Sequence, residues 1–189
     1  FNLPKEQLEQ ILDSAFLDVP QPLQAPTQEV FDKYLYGLAV VPLNLTLTII
    51  GESKPSTSLK LAENLGRALM ITYILRDIKD DAKSGHLFIP TELLQNANVS
   101  KETPMSILED KNMSSAREAL SKDAQKCFVT AQRFLNKMNK KSVMSLFYLA
   151  NLSHCYFEQM NNRGWEIISP KPNINNLNKL KLIIKTLFA

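Results

Sequence analysis

The chain has 189 residues, with 22 Lys and Arg against 19 Asp and Glu, giving a net charge of +3. Charged residues make up 22% and apolar ones 44%, close to the globular average; this excludes a disordered tail, a supercharged nucleic-acid arm and a collagen-like fibre. Five glycines against ten prolines argue against a Gly-rich β-barrel or a phosphate-cradling glycine loop, and the length suits a single domain, 1–189, with one sizeable core.

Nearly every periodic segment has helical spacing, which predicts an all-α domain. Pro4 opens a helix from Lys5 to Phe16, with Leu8, Ile11, Leu12 and Ala15 on one face. Pro20, Pro22 and Pro26 then force an extended connection to Thr27, the expected N-cap of a helix from Gln28 to about Ile50. Pro42 should kink that helix, because its ring meets the preceding turn and it has no N–H to donate. Within it, Leu35 to Ile50 is interrupted by Pro42, Asn44, Thr46 and Thr48, short of the ~18 clean apolar residues that a membrane span needs. Gly51 to Thr57 reads as a polar loop, and Ser58 as the cap of a long helix to Ser84 that Gly85 to Pro90 breaks. Short turns around Glu92 and Pro104 precede helices Ser114–Asn139 and Ser142–Asn162. A loop, Arg163 to Asn175, leads to a basic amphipathic helix from Asn176 to Phe188.

Other features bound compartment and partners. No basic-then-apolar leader opens the chain, and Cys127 and Cys155 stand apart without CxxC pairing. They read as buried, reduced thiols of a cytoplasmic protein. With only His86 and His154, a His/Cys zinc site is not expected. No basic cluster carries interleaved aromatics, so nucleic acid is not an expected partner. In the last helix Lys179, Lys181 and Lys185 alternate with Leu180, Leu182, Ile183 and Ile184, either a solvated face or one that touches anionic lipid at a membrane surface. His154 reads as a core or helix-surface histidine, and Phe147, Tyr148, Tyr156 and Phe157 as packing residues of their helix. No motif sets an oligomeric state.

One segment, Leu65 to Pro90, carries chemistry. At ~100° per residue, Gly66, Met70, Tyr73, Asp77 and the Asp80/Asp81 pair share one helix stripe, small or bulky and uncharged above, acidic below. Asp77 and Asp81, four residues apart, repel unless a cation lies between them. A hard divalent ion such as Mg²⁺ would fit, because it takes carboxylate oxygens and leaves positions open for phosphate. Arg76 and Lys79 beside them allow a plainer reading, a solvated helix end neutralised by local salt bridges.

The same segment resembles the second aspartate-rich signature of the squalene/phytoene synthase family, in outline LGxALQxTNILRDxxEDxxxGRxYLP. Leu65, Gly66, Ala68, Leu69, Thr72, Ile74, Leu75, Arg76, Asp77, Asp81, Gly85 and Pro90 stand in register, with Asp80 in place of the glutamate. Leu12, Asp13 and Asp18 resemble the segment before the family's tyrosine-bearing helix. Tyr34, Leu38 and Ala39 resemble that helix, and Arg163-Gly164-Trp165 with the Lys-rich end resembles bacterial members. The resemblance implies an isoprenoid-synthase-like helical bundle around a central pocket. It implies head-to-head condensation of two prenyl diphosphates, farnesyl or geranylgeranyl, with Mg²⁺-assisted loss of diphosphate, and NADPH only if a reductive squalene-forming step follows. By this mapping Asp77, Asp80 and Asp81 hold the metal and Arg76 assists the diphosphate. Tyr34 lines the reacting centre, and Met70, Tyr73, His86 and Phe88 contact substrate.

Several positions depart from that outline. Met70 and Tyr73 replace Gln and Asn, His86 replaces an Arg that would carry a permanent charge, and Phe88 replaces a Tyr. Leu38 to Leu43 is bulkier than the family's V-A-G-x-V-G. The first aspartate-rich motif is expected upstream of Phe1, in a part of the family fold that this sequence does not include. Relaxed positions around retained aspartates also fit a second class, a silent relative acting through protein contacts, such as a respiratory-complex assembly factor.

Overall fold

The structure, a computed structural model, describes residues 3–51, 55–100 and 102–188. Helices α1 (Lys5–Ala15), α2 (Gln28–Leu35), α3 (Val41–Ile50), α4 (Pro55–Lys83), α5 (Thr91–Asn96), α6 (Pro104–Leu108), α7 (Met113–Leu135), α8 (Met144–Arg163) and α9 (Asn176–Phe188) follow in order. A 3-10 turn, Phe16–Asp18, ends α1, and a π turn, Tyr36–Val40, joins α2 to α3. Among the described residues no strand forms; one parallel bridge pairs Gln24 with Leu87. The turns expected at Glu92 and Pro104 are the short helices α5 and α6, the latter capped reciprocally by Thr103 and Ser106. Of the expected loop after Gly51, residues 52–54 lie outside the described residues. Ser58 is not the cap of α4 but a buried residue in its first turns.

Helix α4 is the axis of the fold. Leu61, Leu65, Ala68, Ile71, Leu75 and Ile78 are buried on several of its faces, as expected of a helix packed all round. Its first half joins α3, the end of α7 and the start of α8 in one apolar cluster; its second half packs with Phe31, the middle of α7, Phe157 and Trp165 in another. Arg67 ties the bundle on a third side, donating to Asp32 of α2 and Asp123 of α7 at 2.7 Å each.

Pro42 is accommodated by a change in the hydrogen-bond pattern just before it. The π turn lets the Val41 N–H reach the Tyr36 carbonyl, which resets the hydrogen-bond ladder and leaves Pro42 in the first turn of α3, where its missing N–H costs little. Two glycines let neighbours cross this turn closely. A Cβ on Gly37 would collide with the Ser14 side chain of α1, and one on Gly66 of α4 would stand 2.8 Å from the Ala39 carbonyl oxygen. By length and apolar content alone Gln28–Ile50 is long enough to cross a membrane; here Phe31, Leu35, Val40, Val41, Leu43 and Leu47 are buried within the fold.

Cys127 is buried as expected, but Cys155 is only half-buried; neither is in a disulfide. His154 is an exposed helix residue, 3.6 Å from Glu158, with its ring edge-on to Phe128. Helix α9 lies on α8, where Asn151 donates to Thr186 Oγ1, and leaves Leu177, Leu180, Ile183 and Ile184 exposed beside Lys181. The side chain of Lys185 lies outside the described residues.

Candidate active site

The upper part of the stripe read from the sequence, Gly66, Met70 and Tyr73, lines one hollow. Gly66, Leu69, Met70 and Tyr73 of α4 form one wall of a largely apolar, open-mouthed cavity of about 440 Å³, whose other walls are the π turn and α3 (Leu38 to Thr46) and Ser145, Leu146 and Leu149 at the start of α8. The volume falls within the range of small-molecule pockets. Leu38, Ala39, Pro42 and Leu43 line this space without filling it.

Tyr73 joins the cavity to the charged end of the helix. Its ring faces the Arg76 guanidinium at 4.6 Å, and Tyr156 of α8 faces the same guanidinium at 4.7 Å. Arg76 is therefore sandwiched between two aromatic faces that favour a cation. From there it grips Asp77 with two hydrogen bonds, Nη2 to Oδ2 at 2.6 Å and Nε to Oδ1 at 3.1 Å. Lys171, on the loop after α8, donates to Asp77 Oδ1 at 3.1 Å and to Asp80 Oδ2 at 2.9 Å. Burial pushes the Asp77 carboxyl up, but the hydrogen bonds from Arg76 and Lys171 outweigh it and hold the group below its ordinary range. Asp80, at the surface, is lowered chiefly by its hydrogen bond from Lys171.

Asp81 faces other company. Gly85, with φ of 85°, ends α4 and turns the chain back, and Leu87 N–H then donates to the Leu23 carbonyl while Ala25 N–H donates to Leu87. That pairing brings the proline-rich connection against residues 86–88. His86 Nε2 lies 3.2 Å from Asp18 Oδ2, and the rings of Tyr34, Phe88 and His86 stack in sequence, with centroids 5.2 and 5.5 Å apart. Among the described residues no cation donates a hydrogen bond to Asp81. Burial first, then the charge of Asp77, raises its pKa to about 6. Burial and the charges of Asp18 and Asp81 push the Tyr34 phenol up to about 12, so its hydroxyl stays protonated.

The predicted residues thus fall into three neighbouring groups. Met70 and Tyr73 line the cavity; Arg76, Asp77 and Asp80 share Lys171; and Asp81 sits with Tyr34, His86 and Phe88. Sequence reasoning missed Tyr156 and Lys171. Tyr156 follows the apolar spacing of its helix, and Lys171 is one lysine of a loop, so neither carries a local signal.

The donor chemistry fits the implied Mg²⁺. Asp77, Asp80 and Asp81 offer hard carboxylate oxygens, and Lys171 already places a positive charge on two of them. Among the described residues no three His, Cys, Asp or Glu gather closely enough to hold an ion unaided. These aspartates would supply part of a coordination shell, in keeping with an ion that commonly takes one or two carboxylates and completes its shell with phosphate and water.

Comparison with solved structures places the fold first. It superposes on a dehydrosqualene synthase solved in complex with ligand with a TM-score of 0.79 at 17% identity, over 100% of this chain and 66% of that one. It also superposes on the squalene synthase HpnC from Alicyclobacillus acidocaldarius with a TM-score of 0.74 at 18% identity, over 87% of this chain and 62% of that one. The helical fold is thus of the isoprenoid-synthase kind. In sequence, the chain is 27% identical over 185 residues to a presqualene diphosphate synthase of Sinorhizobium fredii and 26% identical over 185 residues to one of Rhodopseudomonas palustris, covering 98% of itself and 66% of each relative. The profile of the squalene/phytoene synthase family matches residues 1–177, and the chain belongs to that family.

Proposed function

We propose that this chain forms part of a head-to-head prenyl transferase that joins two isoprenoid diphosphates, farnesyl or geranylgeranyl, with loss of diphosphate. The observation that carries this reading is Tyr73. It lines the apolar cavity and faces Arg76, so the space for a prenyl tail and the acidic end of α4 adjoin at this ring. The curated relatives are named presqualene diphosphate synthases, which favours a cyclopropyl diphosphate product. NADPH would enter only with a later reductive step.

Asp77, Asp80 and Asp81 are the residues that would hold Mg²⁺, which when bound neutralises charge developing on the departing diphosphate. The protein's own groups do the rest. Arg76, fixed between Tyr73 and Tyr156, presents a permanent positive charge at the cavity's charged end, and its bonds to Asp77 orient that carboxylate. Met70, Leu69 and Leu146 exclude water from the allylic cation left behind, and the Tyr73 ring offers it an aromatic face.

The test is diphosphate release from farnesyl or geranylgeranyl diphosphate in the presence of Mg²⁺. Asp77→Asn should lower the rate by about a hundredfold or more, the scale seen when one preorganised charge-stabilising group is lost. Release at an undiminished rate in that variant, or none from the whole protein of which this chain is part, would overturn the reading.

A further inference from the structure

Lys171 is delivered to the acidic pair by a fixed strap. From Gly164 the chain leaves α8 and turns back across the end of α4. Arg117 of α7, 1% exposed, donates Nη1 to the carbonyls of Trp165 and Ile167, the second at 3.4 Å, and its guanidinium lies 5.7 Å from the Trp165 ring. Arg163 donates to the Pro170 carbonyl, and Lys79 Nζ donates to Ser169 Oγ at 3.0 Å. After Lys171, Pro172 and Ile174 are buried. The backbone is thus pinned on both sides, while the Lys171 side chain itself is 53% exposed.

Asp77 and Asp80 are two of the three carboxylates assigned to the metal above. The Lys171 ammonium takes one oxygen from each. An oxygen cannot direct the same lone pair to an ammonium and to a divalent ion, and the two cations repel at such short range. Arg76 differs from Lys171, because two aromatic faces and the adjacent position in the chain hold it on Asp77. Lys171 has a flexible four-carbon stem and open water beside it, so its ammonium can leave while the strap stays in place.

We propose that Lys171 is an exchangeable internal counter-ion, which keeps Asp77 and Asp80 paired while no metal is bound and leaves them when a divalent cation takes their oxygens. This inference rests on the assignment of those aspartates to the metal. It makes Lys171 a competitor of the ion, and it makes the unliganded acidic end ordered instead of self-repelling.

The experiment is amine labelling with limiting acetic anhydride, read lysine by lysine by peptide mass spectrometry, with Mg²⁺ alone and with Mg²⁺ plus inorganic pyrophosphate. Labelling of Lys171 should rise about threefold to tenfold on adding Mg²⁺, the range set by releasing two partly exposed ion pairs, while exposed Lys60 and Lys126 stay constant. Asp80→Asn should raise Lys171 labelling without metal. By calorimetry Lys171→Met should bind Mg²⁺ tighter by a similar factor. If Mg²⁺ binds but both Lys171 labelling and the affinity of Lys171→Met stay unchanged, the exchange is wrong and the metal assignment stands. Weaker Mg²⁺ binding by Lys171→Met would make Lys171 a supporter of the ion, which also overturns the exchange. No Mg²⁺ binding by either protein, even with pyrophosphate, would sink both.

Discussion

Asp77 and Asp81 stand one turn apart on α4, yet their surroundings drive their carboxyls in opposite directions. On the Asp77 side two cations arrive, Arg76 between its aromatic rings and Lys171 on its strap, and the carboxyl is held below its usual range. On the Asp81 side burial acts first and the charge of Asp77 second, with His86 only partly opposing them, and the carboxyl rises to about 6. A run of aspartates on a helix is therefore not one site with one character. One half is neutralised in advance and the other keeps a deficit of positive charge, which is the half that an incoming cation would relieve most.

That contrast can be broken by removing each charge in turn. Asp77→Asn forfeits the charge-assisted bonds from Arg76 and Lys171 and should lower stability by about 1 to 2 kcal/mol at pH 7, after allowance for solvent screening at a partly exposed site. Asp81→Asn should act in the other direction. Its folded pKa, about 6, lies above the ordinary 3.8, so the folded state binds the proton more tightly and stability falls as pH climbs from about 4 to about 6. Removing the charge should stabilise the protein by roughly 1 kcal/mol at pH 7, again discounted for screening, or a rise in Tm of about 2–4 °C for a chain of this size. At pH 4 the gain should vanish. For Asp77 the window is lower: its stabilisation is complete above the ordinary carboxylate pKa and is lost as pH falls through its depressed value. Urea denaturation of both variants at pH 7 and pH 4 checks the signs; two changes of the same sign at pH 7 would mean that the two sides do not differ.

Much of this was legible in the residues. Helix α4 and its stripe were visible because Leu65 to Pro90 combines helical spacing, paired acids and a Gly85 break in one run. Thr27 caps α2 as its position before a periodic segment implies. The π turn was not legible, because Pro42 announces only a lost N–H and not how the preceding residues absorb it. The partition of the acids was not legible either. It depends on Lys171, 94 residues from Asp77, and on Tyr156, whose spacing matches ordinary core packing. Asp18 meets His86 only because the Gln24–Leu87 bridge brings two loops together. Local periodicity reports which face a side chain occupies, while the charge it meets there is set by distant segments.

The smallest expected effect sharpens the comparison most directly. His86 is the nearest thing to a cation on the Asp81 side: its charge, where present, lowers the Asp81 pKa, but it follows burial and Asp77 in weight. An Arg at this position, as in the signature that the segment resembles, would carry its charge at every accessible pH. His86→Arg alone should change stability by only a few tenths of a kcal/mol, since the new pair with Asp18 is partly solvated. Its effect should appear in combination. In the His86→Arg background the gain from Asp81→Asn should shrink by about half, a coupling of roughly 0.5 kcal/mol in a double-mutant cycle. The Asp81 midpoint, followed by carboxyl NMR, should move down from about 6 toward the ordinary range. A midpoint that stays near 6 would mean that burial alone, and not the missing cation, separates Asp81 from Asp77.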